Sequence, residues 1–139
     1  VGDPPPHVVA HYRDLEPHSL LASVLAHYQN MGPLLQALIR TPLDNPAAPP
    51  LVLEGSALLP QTVAQVVGPD VEARWLTAGP DELRRRMHLE SGYDARPAEG
   101  RLLVDRFLAR ALLFDAFVAD ELQRLGWSDR LTRHAAARH

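Results

Sequence analysis

Leu20, Leu21, Val24, Leu25 and Tyr28 recur at spacings of three and four, which predicts a helix from near Pro17 to about Asn30. Gly32-Pro33 is expected to break it. Pro33 then suits the first position of a second helix ending at Arg40, with Leu34, Leu35, Leu38 and Ile39 buried. Ahead of these lies Asp3-Pro4-Pro5-Pro6, which predicts an extended N-terminal segment over residues 1–15. The proline-rich stretch Thr41 to Pro50 reads as a loop.

The pattern then changes. Leu51-Val52-Leu53 is a continuous apolar run closed by Glu54-Gly55, as in a strand buried on both faces of a parallel sheet. Pro60 fits the start of a helix that ends at Gly68-Pro69, and Val71 to Leu76 reads as a second strand. Pro80 starts another helix, with Asp81 and Glu82 favourable in its first turn, running to Ser91. Gly92 to Gly100 reads as a polar loop. Val104, Phe107, Ala111, Phe114, Val118, Leu122 and Leu125 then form one stripe on a long helix over 101–125, stopped by Gly126. Residues 130–139 suit a short, frayed helix. Strands alternating with helices predict an α/β domain with a parallel sheet, although two strands are few for one.

Length and composition fit one domain: 139 residues, 46% of them apolar, divided as extended segment 1–15, core 16–79, lid-like region 80–100, long helix 101–125 and tail 126–139. A net charge of -3 from 14 basic and 17 acidic residues excludes a strongly basic nucleic-acid binder. No apolar stretch is long enough for a membrane span, and no basic-then-apolar segment predicts a secretory leader. Cysteine is absent, which removes disulfides and thiolate chemistry and fits a cytoplasmic location. Lysine is absent too, so no Schiff-base or phosphate-loop lysine exists in this chain. The chain starts at Val1 instead of Met, as expected of a trimmed or processed piece of something longer.

Four groups of residues could carry chemistry. Glu54 sits where an acid at a strand's carboxyl end can hold Mg²⁺, and its plainer role is to cap a turn. Arg84-Arg85-Arg86, with Arg96 beyond, could fork onto phosphate oxygens. The spacings Asp81-Arg85, Glu82-Arg86 and Arg86-Glu90 instead favour salt bridges on a solvated face. Arg106 and Arg110 lie one turn apart by the apolar stripe, and Arg110 there needs a carboxylate or a ligand anion. His7, His11, His18 and His27 lack the HExxH spacing of a zinc site, and Ser56 lacks a nucleophile elbow.

In order, these pieces resemble nucleotide and small-molecule kinases of the P-loop NTPase class. Leu51 to Pro60 (LVLEGSALLP) and Val71 to Ala78 (VEARWLTA) are similar to that class's third and fourth strands. Pro80 to Met87 with Glu90-Ser91-Gly92-Tyr93 resembles its arginine-bearing lid, and Arg101 to Phe117 the helix after it. His18 to Arg40 is similar to the paired helices on the acceptor-substrate side. The resemblance implies a partial three-layer parallel sheet of P-loop kinase type, ATP and Mg²⁺ as cofactors, and a small-molecule phosphate acceptor. It places Glu54 at the metal, Arg85 and Arg96 in catalysis, and Arg84 and Arg110 at the nucleotide phosphates. The departure is the phosphate-binding loop G-x-x-x-x-G-K-S/T, which this lysine-free sequence lacks, so the chain as given is expected to be inactive. The alternative is a non-catalytic interaction domain or a homodimer, its sheet completed by a partner.

Overall fold

The computed structural model describes residues 4–134. Of these, 66% are helical, and the sheet has only two strands. The expected three-layer parallel sheet is therefore not the architecture. Helices pack on helices, with one short parallel pair at the side.

Prolines divide the N-terminal half. Helix α1 (Pro6–Asp14) begins at its own proline, because the first turn needs no donor from that residue. This corrects the extended segment expected over 1–15: proline excludes a helix interior but suits a helix start. Pro17 restricts the residue before it, and Glu16 is extended at φ -67°, ψ 152°, so α1 ends and α2 (Pro17–Leu43) begins at Pro17. Helix α2 is a single helix of 27 residues that passes through Pro33 and Pro42. The expected break at Gly32-Pro33 does not occur. Gly32 is buried against Thr62, and Gln36 one turn on donates to the Thr62 carbonyl at 3.2 Å. Packing of this stretch onto its neighbour outweighs the backbone hydrogen bond that Pro33 cannot donate.

The run Leu51-Val52-Leu53 is not a strand. It is irregular, with Leu51 and Val52 exposed, Val52 at 89%, and Leu53 half-buried. A β run needs a partner for its backbone groups, and no strand among the described residues pairs with it. Beyond it, α3 (Pro60–Ala64) buries Pro60, Thr62 and Val63. The second expected strand is present but later, as β1 (Trp75–Ala78). Helix α4 (Pro80–Ser91) matches its expected bounds and stops at Gly92, whose φ of 64° is the left-handed conformation glycine adopts without strain. A short 3₁₀ turn, Tyr93–Ala95, occupies the expected loop, and α5 (Ala98–Arg124) begins three residues early. Strand β2 (Leu131–His134) replaces the start of the expected C-terminal helix, whose remainder, 135–139, lies outside the described residues.

Strand β2 pairs in parallel with β1, Trp75 opposite Leu131 and Ala78 opposite His134. The connection between them is α4, the 3₁₀ turn and α5. Helices α2 and α5 make the most extensive helix contact. Leu20, from α2, and Leu122, from α5, are fully buried, with Leu59 and Val63 from the α3 region beside the same core. Each such leucine contributes about 1.5–3 kcal/mol by leaving water. Arg106 on α5 donates to the Leu15 carbonyl at 2.5 Å and so ties the α1–α2 corner down.

Candidate functional site

The arginines come first, because β1 delivers them. Gly79 is extended, Pro80 opens α4, and Asp81 and Glu82 fall in its first turn, where carboxylates complement the helix dipole. The helix thus starts immediately past the carboxyl end of the parallel pair. Glu82 is buried, with only 9% of its surface exposed, and must be paired. Arg85 supplies two parallel bonds, Nε and Nη2 each at 2.8 Å, and Arg86 a third at 2.5 Å. These bonds, Arg85's first and Arg86's second, hold the Glu82 carboxyl down at about 2 and raise the Arg85 guanidinium. The salt-bridged reading of the run therefore accounts for Arg85 and Arg86. Arg84 is exposed and has no ion-pair or hydrogen-bond partner among the described residues.

Arg96 is also engaged. Its Nε donates to the Ser91 carbonyl at 2.6 Å, at the end of α4 where unsatisfied carbonyls gather. Its stem packs against Gly100, and its own carbonyl accepts from Arg101 at 2.9 Å. Arg96 fastens the turn between α4 and α5. Beside it, His88 stacks on Tyr93 with ring centroids 4.0 Å apart, and the Tyr93 hydroxyl donates to Asp105 at 3.0 Å. That bond and burial push the Tyr93 hydroxyl up from its ordinary range. Arg110 lies over the Phe107 ring at 4.5 Å, with its Nε buried and without a hydrogen-bond partner among the described residues. Its partner among the described residues is an aromatic face, where the sequence suggested a carboxylate or a ligand anion.

Glu54 is bonded to none of these. It is exposed, on the irregular segment before α3, and makes no ion pair among the described residues. Two residues on, Ser56 is 2.8 Å from the Tyr28 hydroxyl, which fastens this segment to α2 and not to α4. Glu54 forms no hydrogen bond or ion pair with Arg84, Arg85, Arg86, Arg96 or Arg110. Among the described residues no group of three or more His, Asp or Glu side chains could hold a metal ion. Glu54 is thus a lone exposed carboxylate, and this lysine-free sequence sets no phosphate-loop lysine beside it. No described helix is long and apolar enough to cross a membrane.

Two features escaped the sequence. The first is a bond of 2.5 Å between Thr77 Oγ1 on β1 and Asp115 Oδ2 on α5, which pins the carboxyl end of β1 to the long helix. The second is a groove of about 290 Å³ between α2, α3 and α5, lined among others by Gln29, Gln36, Gln61, Gln65, Thr62 and Glu121. Glu121 is buried, its side chain 7% exposed, and is paired with the exposed Arg124 at 3.0 Å. The available signal was Glu121 itself. It lies between Val118 and Leu122, inside the apolar stripe, where an acid needs a reason to be.

Comparison of the chain with protein-family models, curated proteins and solved structures finds no match.

Proposed function

We propose that this chain is the core and lid portion of an ATP-dependent small-molecule kinase, with the cradle for the ATP phosphates contributed from outside this sequence. One observation supports the reading above the others. A helix that follows directly on the carboxyl end of a parallel strand pair carries Arg84 outward with no partner among the described residues. Ligands of open parallel sheets gather at that end, and a planar guanidinium matches phosphate oxygens in pairs. Arg85 and Arg86 stand next to it, held by Glu82 and released only if a stronger anion displaces that carboxylate.

The test is titration calorimetry of this chain with inorganic tripolyphosphate at low salt. Arg84→Ala is expected to weaken binding about tenfold, the equivalent of 1.4 kcal/mol. Glu82→Gln, which frees two guanidiniums, is expected to tighten it. Asp81→Asn makes the same change in net charge without freeing either, and is expected to do less. Equal affinity in the wild type and Arg84→Ala, or equal gains from the two charge removals, would overturn the reading.

A second reading rests on apolar exposure. Leu76 on β1 is 79% exposed, and Val52 89%. An exposed apolar side chain on a two-stranded sheet, with a second on the irregular segment before α3, suits an interaction domain or a homodimer. Light scattering separates the two: a dimer that Leu76→Asp dissociates, with no tripolyphosphate binding, favours association over phosphate chemistry.

A further inference from the structure

The groove between α2, α3 and α5 has no place in the phosphate reading, and none of the arginines discussed above is among its lining residues. Its chemistry differs as well. The lining is made of side-chain amides, one threonine and one buried carboxylate, with Phe117 and Leu59 as apolar surface.

The amides are oriented. Gln36 Nε2 donates both to the Thr62 carbonyl and to Gln65 Oε1, each at 3.2 Å. That leaves the Gln36 oxygen free to accept and the Gln65 amide nitrogen free to donate. The Gln65 backbone is held in turn, because Arg40 donates to its main-chain carbonyl at 3.4 Å. A hydroxyl group both donates and accepts, so an acceptor and a donor lining the same groove match the hydroxyls of one ring. The Glu121 carboxylate adds acceptor capacity in a water-poor position and disfavours an anion. The volume lies at the small end of ligand pockets, about 300–1,000 Å³, which suits a single ring.

From this arrangement we infer a binding site for a small neutral polyhydroxylated ring, a monosaccharide or cyclitol, whose hydroxyls meet Gln36, Gln65, Thr62 and Glu121 while its C–H face lies on Phe117. The site is independent of phosphate binding, and nucleotide is left out of its test.

Gly32 gives a clean perturbation. A Cβ built there would lie 3.6 Å from Thr62 Oγ1 and 3.7 Å from its Cγ2, which is ordinary contact. Gly32→Ala therefore fits without displacing its neighbours, is favoured by helix propensity, and puts a methyl group across the threonine hydroxyl. The experiment titrates the full chain with D-glucose and with myo-inositol, followed by amide chemical shifts. D-glucuronate and inositol monophosphate are the charged controls. Saturable binding of either neutral ring is expected, weakened about tenfold or more in Gly32→Ala and in Gln65→Leu. The folded fraction of Gly32→Ala in urea is expected to be at least that of the wild type. The inference is overturned if neither neutral ring saturates, if Gly32→Ala and Gln65→Leu bind as the wild type does, or if the charged controls bind as tightly. A failure here leaves the tripolyphosphate result unchanged, and the reverse also holds.

Discussion

The contact that most directly fixes the geometry near α4 is Thr77 to Asp115. A hydroxyl has one proton, and two acceptors lie near: the Ala78 carbonyl at 3.2 Å and Asp115 Oδ2 at 2.5 Å. The shorter contact is to a charged acceptor and lies in the range typical of hydroxyl–carboxylate bonds, so the proton belongs to Asp115. Thr77→Val replaces this hydroxyl with a methyl group of nearly the same size. Strand propensity favours valine, so any loss is recorded against that gain. A hydrogen bond to a charged group contributes about 1.5–3 kcal/mol, and Asp115 is left half-buried without its donor. Strand β1 is four residues long and pairs only with β2, so no neighbouring strand compensates. The expected loss is at the upper part of that range. For a chain of this length it lowers the melting temperature by about 5–10 °C.

The assay is urea denaturation followed by circular dichroism for the wild type, Thr77→Val, Asp115→Ala and the double variant. Equal slopes against urea would show that the same transition is compared throughout. A coupling energy of about 1 kcal/mol or more is expected from the cycle, since the two groups touch. Losses that simply add, or a Thr77→Val loss within the ordinary surface range of about 0.5 kcal/mol, would refute the tether.

Two further outcomes follow from the same packing. Leu122 is 0% exposed, so Leu122→Ala should cost about 2–5 kcal/mol in a thermal or urea melt, while Leu89→Ala, at 73% exposure, should stay within about 0.5 kcal/mol. Glu82 has its folded value lowered from 4.5 to about 2, so its stabilisation is fully present above pH 4.5 and is lost as pH falls toward 2. The urea midpoint of the wild type should therefore exceed that of Glu82→Gln by a constant margin near neutrality, and the margin should close between pH 4.5 and 2; a margin that persists at pH 2 would contradict the pairing.

How much of this was legible depended on how local each cause is. Helix α4 was readable nearly to its ends because Pro80, the acids behind it and the left-handed Gly92 all act within one turn of the ends they set. The stripe on α5 was readable only in part, because packing and not spacing alone sets the buried face: Val118 and Leu122 are buried, whereas Phe107 is exposed and its neighbour Leu108 is buried instead. The apolar run at Leu51–Leu53 carried the right composition for a strand, but a strand is a property of two segments, and composition says nothing about whether the second is there. The C-terminal error is its mirror image: Leu131–His134 has little local signal and is a strand because β1 lies alongside across the α4–α5 connection. Pro33 shows the opposite conflict, a strong local breaker overridden by Gly32 and Gln36 packing on Thr62. The groove was illegible because its glutamines are uncharged, ordinary helix residues that acquire meaning only when α2, α3 and α5 meet.

The arginine run carries the same lesson into function. From sequence, three adjacent guanidiniums count as three charges available to an anion. In the folded chain one buried carboxylate takes two of them, through three hydrogen bonds. Burial is what makes this exchange firm: an exposed Glu82 would share its arginines with water, whereas a buried one has no other source of donors. Glu82, at the foot of the helix, therefore decides how many arginines a phosphate would meet. Arg96 follows the same rule at the other end of α4, where the Ser91 carbonyl holds its Nε. On the proposed reading, the guanidinium that would meet an incoming anion first is the one with least to give up, and on this helix that is Arg84.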